Sequence, residues 1–287
     1  MSNLPLIGFI GQGFIGRNYA DDFERRGFEV VRYSMDLEHQ YNKDKIADCD
    51  IVFIAVPTPT TPTGFNFNII KEVLALVGPG KSAVIKSTIL PGTSEKLQNH
   101  YPNRFVFHSP EFLTEAKAGF DAANPTRNIV GYPVDNEEYK KRAQEILDVL
   151  PSSPLNFICK AKEAELVKYA SNCFLFMKVI YANIFYDLAE KEGSDWQKIK
   201  AGLSADPRIG TSHLDPVHAS GTGINTGRGA GGNCFIKDFA ALRLYAEELG
   251  IDQASLDFLK AVEGKNIHLL KNSEKDLELL MNVFGKV

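Results

Sequence analysis

Leu6-Ile-Gly-Phe-Ile10 runs directly into Gly11-Gln-Gly13-Phe-Ile-Gly16, and Arg17 to Arg26 then reads as an amphipathic helix closed by Gly27. Strand, glycine turn and helix in that order are what a dinucleotide-binding fold requires. The first glycine permits the tight turn, the second lets a pyrophosphate reach the backbone, and the third lets helix pack on strand. Gly11, Gly13 and Gly16, with Phe14 and Ile15 between them, are the candidate pyrophosphate residues. A second strand, Phe28-Glu-Val-Val-Arg-Tyr33, follows on schedule and leads into Ser34-Met-Asp36. An NAD site places an acid at the end of that strand. Here Ser34 takes the acid's place and Asp36 is the nearest carboxylate for a ribose 2′-hydroxyl, whereas Arg32 beside a missing acid is the pattern that tolerates a 2′-phosphate. NAD is expected, with NADP as the alternative.

The alternation continues. Asp50 to Val56 is a buried-strand run ending in Pro57-Thr58-Pro59, and Asn68 to Val77 is helical. Ser82 to Lys86 ends in Ser87-Thr88 and is followed by a short helix, Thr93 to Asn99. Arg104 to His108 leads into Ser109-Pro-Glu111-Phe-Leu-Thr-Glu115, and Asn128 to Gly131 precedes a charged helix from Asp135 to Leu150. Continuous apolar strands separated by helices argue for an α/β fold with a parallel sheet covered on both faces. In such sheets ligands gather at the carboxyl ends of the strands. That places Thr58, Thr88, Glu111 and Glu115 on the rim expected to face the nicotinamide, although any of them alone also reads as a turn residue; Val56 and Pro57 beside Thr58 are further cofactor-binding candidates.

From Ala161 to about Glu192 a helical pattern runs with hardly a breaker, apolar over much of its circumference, and is expected to be the spine of a second, all-helical domain. Glu165, Lys168 and Asn172 share one of its faces. Lys168 among Leu166, Tyr169, Cys173 and Phe174 is costly to bury without purpose, the alternative being a lysine that snorkels at the helix edge. Cys173 reads as core. After a helix from Ser194 to Leu203 comes a long glycine-rich segment, Asp206 to Gly232, whose His213, Asp215 and His218 match no compact metal pattern. No metal is expected. Gly229-Ala-Gly-Gly-Asn-Cys-Phe-Ile-Lys-Asp238 closes it. With Asn233 as N-cap, Cys234 falls in the first turn of a helix, where backbone N–H groups favour a thiolate, and Asp238 lies one turn on. The residue types leave an inert buried cysteine open as the other reading. Helices are expected from Lys237 to Gly250 and from Gln253 to Leu270, with a short one ending at Phe284.

The chain has 287 residues and a net charge of -4, enough for two ordinary domains and without a general basic surface for nucleic acid. Its four cysteines show no CxxC pair, which argues against a disulfide framework or a zinc site. No apolar run reaches the ~18 residues of a membrane span, nor does the N-terminus read as a leader. A cytoplasmic protein without a membrane partner is expected.

Gly11-Gln-Gly-Phe-Ile-Gly16, Val56-Pro-Thr-Pro59, Lys86-Ser-Thr88, Ser109 to Glu115, Ala164-Glu-Leu-Val-Lys-Tyr-Ala-Ser-Asn172, Asp206-Pro-Arg-Ile-Gly210 and Gly231 to Asp238 together resemble the UDP-glucose/GDP-mannose dehydrogenase family, collinearly over nearly the whole chain. The resemblance implies NAD-dependent four-electron oxidation of a nucleotide-sugar C6 alcohol to the acid, UDP-glucose being the expected substrate, through a covalent intermediate on Cys234. It assigns Lys168 and Asn172 to oxyanion stabilisation, Asp238 and Thr88 to water and proton handling, and Glu115 to the nicotinamide face and hydrolytic water, with Glu111 in support. An NAD-binding domain is expected over 1–158 and a helical domain over 159–287, and the long apolar helix suggests a homodimer through the latter because one of its faces would otherwise stay exposed. Two departures stand out: the family's third domain is not present in these residues, and the glycine loop from Thr211 to Arg228 looks longer than in typical relatives, with Ile236 where a proline is usual. Two other readings are a two-electron dehydrogenase resembling the beta-hydroxyacid and 6-phosphogluconate group, which gives no reason for Cys234, and a homologue that binds nucleotide without catalysis.

Overall fold

The computed structural model describes residues 4–221, 223 and 226–285, and divides into two compact units. One comprises Met1–Pro59 with Asn66–Lys168, the other Thr60–Phe65 with Tyr169–Val287.

In the first unit, β1 (Ile7–Ile10), β2 (Val30–Tyr33), β3 (Ile51–Ile54), β4 (Ser82–Ile85), β5 (Phe105–His108), β6 (Arg127–Tyr132) and β7 (Leu155–Lys160) form one sheet in the order β2-β1-β3-β4-β5-β6-β7. Chain order reverses beside β1, which has β2 on one side and β3 on the other, so the crevice favoured by ligands opens above the glycine turn. Stacked Phe9 and Phe53, 5.0 Å between ring centroids, hold β1 to β3, and Phe23 of α1 (Phe14–Arg25) closes on Phe9 at 5.4 Å. The helices α2 (Asn68–Leu74), α3 (Thr93–His100), α4 (Ala118–Ala123) and α5 (Glu137–Val149) follow. The side chain of Asn136 caps α5 by accepting from Tyr139 N.

Two expectations need correction. The sheet is not wholly parallel: β6 runs against β5, paired through His108 and Gly131. The segment joining them turns back at the carboxyl edge instead of crossing a face, which forces the reversal. And α1 starts at Phe14, three residues ahead of Arg17, because extended Gly13 serves as its N-cap. β7 was not expected at all; it is an edge strand with half its residues exposed, and carries little of the apolar pattern of a buried strand.

The second unit is mainly helical. α6 (Ala161–Lys191) begins in the first unit and runs on for 31 residues, about 46 Å at 1.5 Å each. It is followed by α7 (Trp196–Ser204), α8 (Gly232–Leu249), α9 (Gln253–Asn272) and α10 (Leu277–Phe284). Phe176 stacks on Phe239 at 4.1 Å, joining α6 to α8. Ile236 and Ala240 of α8 share a core with Leu270, Leu280 and Val283. Two small antiparallel hairpins complete the unit, Thr60–Thr61 with Gly64–Phe65, and Val217–Ala219 with Thr226–Arg228. The second hairpin lies within the long glycine segment, of which Thr222, Ile224 and Asn225 fall outside the described residues. Among the described residues no helix is long and apolar enough to cross a membrane.

Candidate active site

Each glycine of the first turn has a different job. Gly11 takes φ +90°, and a Cβ there would lie 2.2 Å from the Ala55 carbonyl oxygen; at Gly16 it would lie 1.8 Å from that of Gly11. These two are required by the fold itself. A Cβ at Gly13 would meet nothing within 4 Å. It would instead stand in open space over the first turn of α1, where unpaired N–H groups suit a pyrophosphate, so the turn fits a dinucleotide. Gly13→Ala tests this directly. Its backbone at φ −73°, ψ −163° is open to alanine, so the melting temperature should stay put while NAD binding, read by calorimetry, weakens about tenfold or more. An unchanged affinity would remove the pyrophosphate from this turn.

Arg32, the cation that raised NADP, is bound to Asp21 at 2.7 Å and Glu24 at 2.8 Å. Asp36 accepts from Ser34 Oγ and from His39 N, and these bonds, the serine's first, hold its carboxyl below the usual range. On the rim, Ser87 Oγ bonds both the amide and the carbonyl of Val56, and buried Thr58 donates to the Thr88 carbonyl at 2.8 Å. Pro57 is exposed beside them.

Lys168 is buried, and its Nζ donates to Glu111 Oε1 and to the Glu111 carbonyl, each at 2.8 Å. Glu111 Oε2 accepts in turn from Leu113 N. The snorkelling alternative is therefore excluded. Below this pair, Lys86 Nζ donates to Ser109 Oγ and lies over the Tyr19 ring, and burial pushes its ammonium down to about 7. Glu115 is exposed at the start of a single 3₁₀ turn, Glu115–Lys117. Glu165 does not accompany Lys168 in function: fully buried, it accepts from Gly92 N and Ser94 N and so caps α3.

In the second unit Asp238 is buried, and its carboxylate accepts from Asn172 Nδ2 at 2.7 Å and from Lys237 Nζ at 2.5 Å. The Lys237 carbonyl accepts from Thr60 Oγ1 of the small hairpin, which fixes this turn of α8. Cys234 is exposed and sits in the first turn of α8, as expected, while Cys173 is buried. The expected cap is wrong. α8 starts at Gly232 with Gly231 as N-cap, and Asn233 already lies inside the helix. Gly232 enters the first turn at φ +82°, with its N–H donating to the Asp276 carboxylate, so no side-chain cap from Asn233 is used. Of the three residues weighed as metal ligands, Asp215 pairs with Lys200, its carbonyl lies 2.8 Å from His218 Nδ1, and His213 sits against Phe235. Among the described residues no group of three His, Cys, Asp or Glu side chains is placed to hold a metal.

Residues 31–150 match the NAD binding domain of the UDP-glucose/GDP-mannose dehydrogenase family, and residues 162–267 match its central domain. The chain belongs to the UDP-glucose/GDP-mannose dehydrogenase family. A protein of Rickettsia conorii named UDP-glucose 6-dehydrogenase is 32% identical over 256 residues, covering 86% of this chain and 55% of the relative. The chain spans about half the length of the curated relatives it matches. A solved UDP-glucose dehydrogenase from Pyrobaculum islandicum superposes with a TM-score of 0.76 at 26% identity, covering 92% of this chain and 68% of the other. The fold alone is shared with a 3-hydroxyisobutyrate dehydrogenase from Mycobacterium tuberculosis, at TM-score 0.70 and 15% identity over 98% of both chains.

The cofactor of this family member is NAD. A second group, not expected from the sequence, lies at the start of α8. Ser220, Lys275 and Asp276 meet the glycine segment before Cys234. The stretch Asn272-Ser-Glu-Lys-Asp276 looks like any polar turn between helices, and its only local signal is a lysine and an aspartate where a glycine would be the usual helix stop.

Proposed function

We propose that the chain is an NAD-dependent nucleotide-sugar 6-dehydrogenase that oxidises a C6 alcohol to the acid in two successive steps, with UDP-glucose to UDP-glucuronate the favoured reaction. The observation that carries this reading is the exposed Cys234 in the first turn of α8, one turn from a buried Asp238 bound by Asn172. A two-electron alcohol dehydrogenase has no use for such a thiol. NAD, when bound, accepts a hydride at each oxidation, so two are consumed per acid. Between the oxidations the Cys234 thiolate adds to the aldehyde carbon, holding it as a thiohemiacetal. After the second, the carbon is a thioester, and water breaks the carbon–sulfur bond to release the acid and the thiol. Lys168 and Asn172 stabilise the oxyanion at each covalent stage. Asp238 and Thr88 handle water and protons, and Glu115, with Glu111 behind Lys168, serves the hydrolytic water.

Residues 1–158 hold the cofactor in this scheme and 159–287 supply the thiol. The pairing of Arg32 with two acids supports NAD over NADP. The exposed apolar face of α6, including Phe174, Tyr181, Ile184 and Leu188, with Phe258 of α9 beside it, supports a homodimer through the helical unit; light scattering reads its mass. The four cysteines stand as thiols, which supports a reducing compartment, the cytoplasm.

The deciding experiment counts reduced cofactor per acid formed from UDP-glucose, UDP-N-acetyl sugars and GDP-mannose. Two per acid is expected. One per oxidised substrate would instead establish the two-electron reading, and NAD binding without any reduction would leave a non-catalytic homologue.

A further inference from the structure

The turn between α9 and α10 is pressed into the glycine segment that leads to α8. Lys275 is fully buried although Glu274 before it is exposed, and its Nζ donates to the carbonyls of Gly229, at 3.1 Å, and Gly227, at 3.4 Å. Asp276 takes φ +54°, a left-handed conformation that an aspartate adopts only when its surroundings impose it. Its Oδ2 accepts from Gly232 N at 2.8 Å and from Ser220 Oγ at 2.5 Å. That carboxylate therefore caps α8 from another part of the chain, Gly231 having no side chain to do so. Ser273 Oγ accepts from Arg228 N, and Asn266 bonds both the amide and the carbonyl of Ala230. The fit leaves no slack. A Cβ on Gly231 would lie 2.1 Å from Asp276 Oδ2 and 2.9 Å from Lys275 Cε.

We propose that Lys275 and Asp276 are positioning residues that latch the glycine segment onto the start of α8 and set the reactivity of the Cys234 thiol by opposed charges. The proposal rests on Cys234 being the reactive thiol, but not on which substrate it meets. The N–H groups of the first turn favour an anion. Asp276 already places one there, and the Lys275 ammonium offsets it. Removing the ammonium alone leaves an uncompensated carboxylate at the helix start, two residues from Cys234, and disfavours the thiolate; removing the carboxylate alone does the reverse. Burial lowers the Lys275 ammonium to about 8 and the neighbouring Asp276 carboxylate opposes that fall, so the ammonium carries its charge below that pH. Among the described residues of this unit, charged or titratable groups on or against the first turns of α8 include Lys237, Asp238, Cys173 facing Asp238, and His213 beside Phe235, while His218 of the hairpin faces Lys275; all stay unchanged in the variants below.

The test is alkylation of Cys234 by iodoacetamide in the full chain, resolved by peptide mass, with each midpoint taken from the rise of the rate below about pH 8, where Lys275 keeps its ammonium. Lys275→Met should move the midpoint of the reaction up by about half a unit or more, and Asp276→Asn should move it down by a similar amount. Asparagine still offers an oxygen to Gly232 N, so the cap survives. A purely structural latch would shift both variants the same way, and that result, or two midpoints equal to the wild type, overturns the proposal. Should Lys275→Met fail to fold, Asp276→Asn decides alone: a downward shift supports the opposed charges, and an unmoved or raised midpoint overturns them. No turnover is needed for this reading, so failure of the dehydrogenase reaction and failure of the latch are separately visible.

Discussion

Cys234→Ala should abolish acid formation, on the order of 10⁴-fold or more in turnover, while leaving NAD binding and the melting temperature near those of the wild type. Stability is expected to hold because the side chain is exposed at the first turn of α8, where alanine is well tolerated. Loss is expected because the thiol has no understudy. Cys173 is buried, and burial pushes its thiol well above the usual range. Cys49 and Cys159 are pushed up to about 12 and about 11, again chiefly by burial. The measurement is acid formed and cofactor reduced per enzyme with a nucleotide sugar that the wild type oxidises. Full activity in the variant would sink the covalent mechanism.

Lys168→Met should lower both stability and activity. The Lys168–Glu111 pair is almost entirely shielded, with side chains 6% and 7% exposed. Removing the lysine strands a buried carboxylate, and the cost of breaking such a pair is about 3–5 kcal/mol, a fall of roughly 10 °C in melting temperature for a chain of this size. Adding Glu111→Gln should restore much of the stability, since the stranded charge is gone. It should not restore turnover, because the oxyanion still lacks its ammonium, a deficit on the order of 10²–10³-fold. Thermal melting and initial rates on the single and double variants separate the two effects. A single variant that melts with the wild type would contradict the buried pair, and a double variant with full turnover would remove Lys168 from the chemistry.

What could be seen in the sequence was what local periodicity writes. The glycine turn, the strands β1 to β5, the length of α6 and the placement of Cys234 in a first turn all follow from spacing over fewer than about fifteen residues. Asp238 one turn beyond Cys234 was visible for the same reason. Partners from distant parts of the chain were not visible. Nothing near Lys168 announces Glu111, and nothing near Glu165 says that its carboxylate belongs to the start of α3. Asn233 misled because capping propensity favours a side-chain oxygen, while two glycines and an aspartate more than forty residues away supply the entry to α8. β7 was missed because an edge strand need not be apolar on both faces.

The grip of Asp21 and Glu24 on Arg32 bears on how cofactor choice is stored and inherited. A cation able to meet a 2′-phosphate already stands at the end of the second strand, and what neutralises it sits on the helix next door. If these two acids keep Arg32 from a 2′-phosphate, preference for the unphosphorylated dinucleotide would be guarded by α1 as well as by Ser34 and Asp36 at the strand end. Replacing both acids should then raise affinity for NADP relative to NAD, which calorimetry with the two cofactors would read.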